Sequence, residues 1–398
     1  MTGTAAGVLV TDGEQRAALA VVRSLGRAGH RVYVCSTRGR SLAGASRYAA
    51  GEARTPDPLR EPAAFVEALA ALARRWDVAV VLPIAEPALL AVLGARERLA
   101  GCRVPFPDLE RFRAISDKAH LLAVAPEVGI AIPAQQLVPS PAALAELDLD
   151  ALCYPLVLKP ARSVGEAGGE RRKLAVRHAA DAAEVRRVAR ELPAAAFPLL
   201  LQQRVVGPGI GIFLLRWRGE TVAAFAHRRL REKPPSGGIS VYRESIAAPP
   251  ELLARSQALL ERFDWEGVAM VEYKVDAASG RPYLMEVNGR FWGSLQLAVD
   301  AGVDFPALLV ALALGERPAP VRIWRAVRSR WWWGDVDHLL ARLRRSEREL
   351  ALPPGSPGRL RTVVEFLRLW RPGDRNEILR WTDPRPFLRE TLEWIQGR

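Results

Sequence analysis

Short apolar runs alternate with helix-period segments over the first hundred residues. GVLVT at 7–11, RVYVCS at 31–36 and VAVVLP at 78–83 are continuous runs of the kind buried on both faces of a sheet. EQRAALAVVRSLGRAG and PAAFVEALAALARRW carry apolar residues at helical spacing. This βαβ order predicts an open parallel sheet. Ligands of such sheets bind beyond the carboxyl ends of the strands, which makes Asp12 to Arg16 and LPIAE at 82–86 candidate substrate loops, although ordinary helix-capping turns fit them equally. The first turn reads TDGEQRA, so the glycine fingerprint of dinucleotide binding is absent. From DLERFRAISDKAHLLAVAPEVGIAIP onward the pattern predicts a helix carrying Lys118, then short strands and helices to about residue 205.

The most informative pattern is VAMVEYKVDAASGRPYLMEVNGR at 268–290, which reads as a hairpin. A three-residue loop of Ala278, Ser279 and Gly280 would pair Ala277 with Arg281 and bring Glu272 opposite Glu286. Strict alternation then places Leu284, Glu286 and Asn288 on one face and Tyr283, Met285 and Val287 on the other. Like charges facing each other across a ladder are destabilising unless something compensates. A divalent cation with oxygen ligands would do so, with Asn288 adding a neutral carbonyl oxygen. A solvated face in a slightly different register is the alternative.

Three further segments carry candidate chemistry. Lys159 ends the run YPLVLKPA and precedes RSVGEAGGERRK, where glycines let backbone N–H groups approach phosphate oxygens and the ammonium supplies a point charge. No Walker A pattern is present, and a glycine-rich surface loop beside a solvated lysine fits the same residues. LLLQQRVVGPGIGIFLL contains an extended stretch from Gln202 to Val206 that could offer main-chain hydrogen bonds to a purine, or could be a plain hairpin. HRRLREKPPSGGIS groups His227, Arg228, Arg229 and Arg231 ahead of a glycine-rich segment, which suits a carboxylate or acyl-phosphate ligand or an exposed basic turn.

Composition narrows the field. A chain of 398 residues exceeds one ordinary core, so two or three domains are expected. The net charge of +13 would suit nucleic acid, yet 52 of the 57 basic residues are arginine in a chain also rich in Ala, Gly and Pro, as GC-rich coding produces. No helix-turn-helix, zinc-finger or RNA-binding aromatic signature accompanies the charge, so no nucleic-acid partner is expected. Only five lysines occur, which gives each one weight. Cys35, Cys102 and Cys153 are far apart and show no metal-ligand spacing, fitting buried thiols in a reducing compartment. The longest apolar run, FPALLVALALG, is too short to span a bilayer, and no secretory signal pattern opens the sequence, so a cytoplasmic protein is expected.

The order of these features is more specific than any one of them. Lys118, Lys159 with its glycine-rich loop, the stretch at 202–206, and then Glu272, Glu286, Asn288 and Arg290 resemble the ATP-grasp superfamily, which includes D-alanine:D-alanine ligase, biotin carboxylase and carbamoyl phosphate synthetase. MVEYKVDAASGRPYLMEVNGRFWGS is similar to its carboxylate–amine ligase-like branch, and the resemblance covers about residues 1–315. It implies an α/β architecture: an amino-terminal parallel domain (1–115) and an ATP-grasp domain of two α+β lobes (116–316, with a lid at about 125–205); beyond it, the Arg- and Trp-rich extension (317–398) is helical by period. ATP with Mg²⁺, or Mn²⁺ in its place, is the implied cofactor set. Lys118 and Lys159 would contact phosphates, and Ser163, Gly165, Gly168 and Gly169 would belong to the covering loop. Gln202, Gln203, Arg204, Val205 and Val206 would form the adenine hinge. Glu272, Glu286 and Asn288 match the metal positions, and Arg290 matches the arginine acting on the transferring phosphoryl group.

Two departures stand out. Gln203 replaces a hinge glutamate found in many relatives, and Ile210 and Gly211 occur near where an acid binds ribose. The implied reaction joins a small carboxylic acid, activated as an acyl phosphate, to an amine or another nucleophile. Arg228 and Arg231 are the expected carboxylate holders, Arg231 also a catalytic expectation beside Arg290, with Gly237, Gly238 and Ser240 in a closing loop. Two alternatives stay open: a membrane-surface role for the tail VRSRWWWGDVDHLLARLRRSERELAL, where Trp and Arg interleave, and a nucleotide-binding pseudoenzyme.

Overall fold

The computed structural model describes residues 5–167, 170–319, 321, 325–353, 355–368 and 371–397. Strands β1 (Gly7–Val10), β2 (Arg31–Ser36), β3 (Ala49–Arg54) and β4 (Val78–Leu82) form a parallel sheet in the order β3-β2-β1-β4. The apolar run of β1 is continuous because both faces are covered. Val8 and Val10 pack with Leu19 and Val22 of α1 (Arg16–Arg27), whereas Leu9 packs with Phe65 and Leu69 of α2 (Pro62–Arg75). β3, with its glycine and two charges, is an edge strand that the apolar pattern does not reveal.

Beyond α3 (Glu86–Gly94), the single helix expected around Lys118 is instead two, α4 (Leu109–Ser116) and α5 (Lys118–Val124). Asp117 lies between them in extended conformation and its carboxylate accepts the amides of Ala119 and His120. That cap starts a new helix with Lys118 at its first position.

A second sheet, order β5-β10-β6-β9, contains β5 (Gln135–Val138), β6 (Leu156–Pro160), β9 (Arg177–Ala179) and β10 (Leu199–Gln203). Its small core joins Val138, Leu158, Leu199 and Leu201 to Leu144 of α6 (Pro141–Glu146) and Val185 of α7 (Ala182–Glu191). The hairpin β7 (Val164–Ala167) and β8 (Glu170–Lys173) projects from it.

The largest sheet runs β15-β14-β11-β12-β13-β16-β17. Its members are β11 (Gly209–Trp217), β12 (Glu220–Lys233), β13 (Ile239–Ile246), β14 (Gly267–Val275), β15 (Pro282–Asn288), β16 (Arg328–Arg330) and β17 (Asp374–Asn376). Helices α8 (Pro250–Arg262), α9 (Leu295–Asp300) and α10 (Phe305–Ala313) belong to the same apolar core, which is continuous with Val8 and Val10 of the first sheet.

The carboxyl-terminal segment holds α11 (Trp332–Arg344), α12 (Arg359–Leu367) and α13 (Arg385–Ile395). It is not purely helical, as expected from period alone, because β16 and β17 extend the large sheet. Trp331, Trp332 and Trp333 are half-buried against other parts of the protein, whereas Trp381 is 90% exposed. Trp331 lies under the Arg16 guanidinium at 3.8 Å, Trp333 stacks on Trp394 at 4.1 Å, and Trp332 packs on Phe366. These contacts pack the Trp331–Trp333 stretch onto the rest of the chain, while Leu360, Leu367, Leu388, Leu392 and Ile395 of the same segment stay exposed. Among the described residues no helix is long and apolar enough to cross a membrane.

Candidate functional site

Glu272 does face Glu286, by a different route from the one expected. The loop is four residues, Ala277 to Gly280, closed by Asp276, whose carboxylate accepts the amide and hydroxyl of Ser279. Gly280 takes the left-handed conformation at φ +69°. That loop alone would align Glu272 with Met285; a register shift between Glu272 and Tyr273 moves it on to Glu286. The extra residue also reverses the alternation. Leu284, expected to share a face with Glu286, pairs with Tyr273 and is fully buried with it in the core, while Tyr283 joins the rung of Lys274.

One transverse row therefore runs Glu286, Glu272, Gly211 and His227 across β15, β14, β11 and β12. Gly211 is required there, since a Cβ would sit 2.6 Å from the Phe213 ring and 3.0 Å from His227 Nε2. Around the carboxylates three cations converge. Lys118 Nζ donates to Ser163 Oγ at 3.0 Å and lies 3.7 Å from Glu286 Oε2. Lys159 Nζ donates to Gln202 Oε1 at 3.2 Å and to the Met285 carbonyl at 3.3 Å. Arg290 donates to Asn288 Oδ1 at 3.0 Å, and Asn288 Nδ2 in turn to Glu286 Oε1 at 2.9 Å.

These placements set the charge states. Burial, only partly offset by Glu286, lowers Lys159 to about 8. Burial opposes ionisation of Glu286, but Lys118, Lys159, the Asn288 hydrogen bond and Arg290 outweigh it and hold its carboxyl well below the usual range. For Glu272 burial prevails over Arg229, and its carboxyl is pushed up. Arg229 Nη2 meets Glu272 Oε2 at 2.5 Å while its other arm binds Glu232 at 2.8 Å.

A cavity of about 500 Å³ lies over this row. Val157, Val176, Met270 and Met285 line it together with Gln203 to Val205, while Glu272, Glu286, Asn288 and Arg290 supply polar lining and Gly237, Gly238 and Ser240 border it. The shape suits a flat apolar group joined to an anion. Within the hinge, the amides of Gln203 and Arg204 already donate to the Ala134 and Pro155 carbonyls, and the Gln202 side chain is held between Lys159 and Gln135.

Several expected residues lie elsewhere. Arg228 turns out of the cavity onto Glu244, and Arg231 is bound through two nitrogens to Asp335 at 2.7 and 2.6 Å, so neither stands free to hold a carboxylate. Ordinary alternation puts Arg228 on the face opposite His227 and Arg229, and the bulge after Arg229 turns Arg231 off the site face as well. Gly165 serves packing, because a Cβ there would meet the Ala195 carbonyl at 2.6 Å. Val206 lines a second cavity instead of the first. Gly168 and Gly169 fall outside the described residues.

Further residues join the site. Arg16 and Ser294 line the first cavity. Glu86, Ser163 and Arg290 line an adjoining one of about 260 Å³, and burial raises the Glu86 carboxyl despite Arg290 and Lys118 nearby. The loops at 12–16 and 82–86 pointed toward Arg16 and Glu86; Ser294 had no signal.

Glu272, Glu286 and Asn288 present three oxygen-bearing side chains on neighbouring strands, a donor set that suits a hard divalent cation. Among the described residues no three His, Cys, Asp or Glu side chains form a metal-binding group by themselves.

Residues 196–332 match the model of a family described as ATP-grasp in the biosynthetic pathway with Ter operon. No curated protein matches the sequence. Among solved structures, the chain is similar to an L-amino acid ligase from Bacillus licheniformis, with 18% identity over 81% of this chain and 79% of that one and a TM-score of 0.63. It is also similar to a biotin carboxylase βγ-ATP complex from Campylobacter jejuni, with 16% identity over 81% and 74% and a TM-score of 0.64. An ADP complex of N5-carboxyaminoimidazole ribonucleotide synthetase gives 17% identity over 81% and 80% and a TM-score of 0.62. The chain has the ATP-grasp fold.

Proposed function

We propose that the protein is an ATP-dependent ligase that activates a small carboxylic acid as an acyl phosphate and couples it to an amine. The observation that carries this reading is the facing pair Glu272 and Glu286 on the wall of one cavity with Lys159 and Arg290, with Lys118 behind at 3.7 Å from Glu286. Paired carboxylates under three cations suit a polyphosphate with its metal better than they suit any nucleophilic catalyst. The relatives whose structures hold βγ-ATP or ADP support the same choice of ligand.

In this reading the base lies in the apolar end beside Gln203, Arg204 and Val205, and the phosphates run toward Lys159 and then Ser163, which Lys118 holds beside the adjoining cavity. Glu272, Glu286 and Asn288 would hold Mg²⁺, whose chemistry is to neutralise charge on the bridging phosphate oxygens; further oxygen ligands would come from the nucleotide. The substrate carboxylate oxygen attacks the γ-phosphorus, the bond to the β-phosphate oxygen breaks, and ADP leaves. The amine nitrogen then attacks the acyl carbon, phosphate departs and the nitrogen loses a proton. Arg290 stabilises the moving phosphoryl group through its planar fork. Arg16 and Arg229 line the cavity where Arg228 and Arg231 do not, so they would be the arginines nearest the acid, although each is already paired, Arg16 with Glu377 and Arg229 with Glu232 and Glu272.

ADP release measured against panels of acids and amines, followed by product mass, tests the reading. With ¹⁸O in the acid, label is expected in the released phosphate. AMP and pyrophosphate as products, or label in AMP, would overturn the acyl-phosphate step.

A further inference from the structure

A second cavity, of about 580 Å³, lies between the hinge and the carboxyl-terminal cap. One side is the hinge and β12; the other is α11, the loop after it and α12. It is as large as sites that hold small organic ligands. Its lining is strongly positive, and the ion pairs of the protein do not cancel that charge. The two acids in the lining are already held, Glu232 by Arg229 and Glu365 by Arg371. Arg231 is engaged by Asp335.

Four cations remain without a carboxylate among the described residues. Arg204 reaches only the Ser236 carbonyl at 3.2 Å, and Arg342, which is buried, reaches only the Pro357 carbonyl. The side chains of Lys274 and Arg361 line the cavity with no hydrogen bond or ion pair to any described residue. Lys274 is one of only five lysines in the chain. Positive groups gathered round one concave volume raise the local concentration of anions, and partly buried ones gain most from a counter-charge.

We propose that this cavity is a binding site for a small polyanion, a molecule bearing two or more carboxylate or phosphate groups, assembled by the carboxyl-terminal segment against the hinge. The site is separate from the polyphosphate row and does not depend on the ligase reading. Arg204 and Lys274 line both cavities, so the occupant would border the hinge and be felt there.

Calorimetric titration of the full chain with pyrophosphate and, separately, citrate, in metal-free buffer at physiological ionic strength, tests this. Saturable one-to-one binding of at least one probe is expected, and the tighter of the two identifies phosphate or carboxylate as the recognised group. Lys274→Met and Arg361→Glu should each weaken it about tenfold or more, whereas Lys159→Ala, which alters only the first cavity, should change it by less than about threefold. Arg361 is exposed, so its variant keeps the proposal testable should Lys274→Met fail to fold. Binding that survives both substitutions, or that disappears in Lys159→Ala, or an absence of saturable binding at about millimolar probe, would overturn the assignment.

Discussion

Lys159 illustrates how much a single side chain can report. Its ammonium is enclosed, bound to one amide oxygen and one carbonyl, and burial brings it down to about 8. Only the protonated form attracts phosphate. Nucleotide affinity should therefore be constant on the acid side of about 8 and fall as pH rises through it. Lys159→Arg should remove that fall, and calorimetry across pH would reveal whether it does. Glu286 gives the companion prediction. Glu286→Gln keeps the shape and removes the charge that Lys118, Lys159 and Arg290 surround, so Mg²⁺-dependent ADP release should drop about 10²-fold or more while the unfolding midpoint stays close to wild type. Near-normal release would remove the metal assignment. At this scale the sequence was legible for Lys118, Lys159, Glu286 and Asn288, because each is a polar residue set into apolar surroundings. It was not legible for Arg231, because a bulge after Arg229 turns its guanidinium away from the face that Arg229 keeps.

At the scale of elements, loops and bulges set what the site contains. The hairpin β14–β15 reaches the expected pairing because two departures from ideal geometry cancel: a loop one residue longer and a bulge one residue wide. Period-2 reasoning could find the hairpin but not the bulge, whose cost is settled by Tyr273 and Leu284 reaching the core. The hinge has its own constraint at Gly207, with φ of +154° and the Val275 carbonyl 1.8 Å from where a Cβ would stand. That carbonyl is backbone and cannot move aside. Gly207→Ala should therefore destabilise the protein by about 1–3 kcal/mol and loosen nucleotide binding, as read from chemical denaturation and from calorimetry.

For the whole molecule, the carboxyl-terminal cap ties the amino-terminal sheet to the large one. Asp383 accepts Arg23 Nε at 2.8 Å, Ser46 Oγ at 2.7 Å and the Arg47 amide at 2.9 Å, all far away in sequence. Glu377 holds Arg16 and Arg243, both at 2.5 Å, so the cap also orients an arginine of the first cavity. Removing Asp383 would leave the Arg23 guanidinium buried without its counter-charge. Asp383→Ala should cost about 3–5 kcal/mol and expose the cap to limited proteolysis ahead of the rest of the chain. A variant with wild-type stability and protease resistance would show that the cap is held by its apolar contacts alone.

The sequence by itself determined the elements and the ordered set of chemical groups. Runs buried on both faces, helical period and a carboxylate-bearing hairpin are local properties, and locality is what a pattern of neighbours can encode. Tertiary structure alone decided which groups meet. Arg16 and Glu377 are separated by most of the chain, the bulges of β12 and β15 answer to core packing rather than to turn chemistry, and the second cavity exists only because α11 and α12 cover the hinge. Contacts of that kind depend on how apolar faces from distant segments are buried together, which no spacing along the chain records.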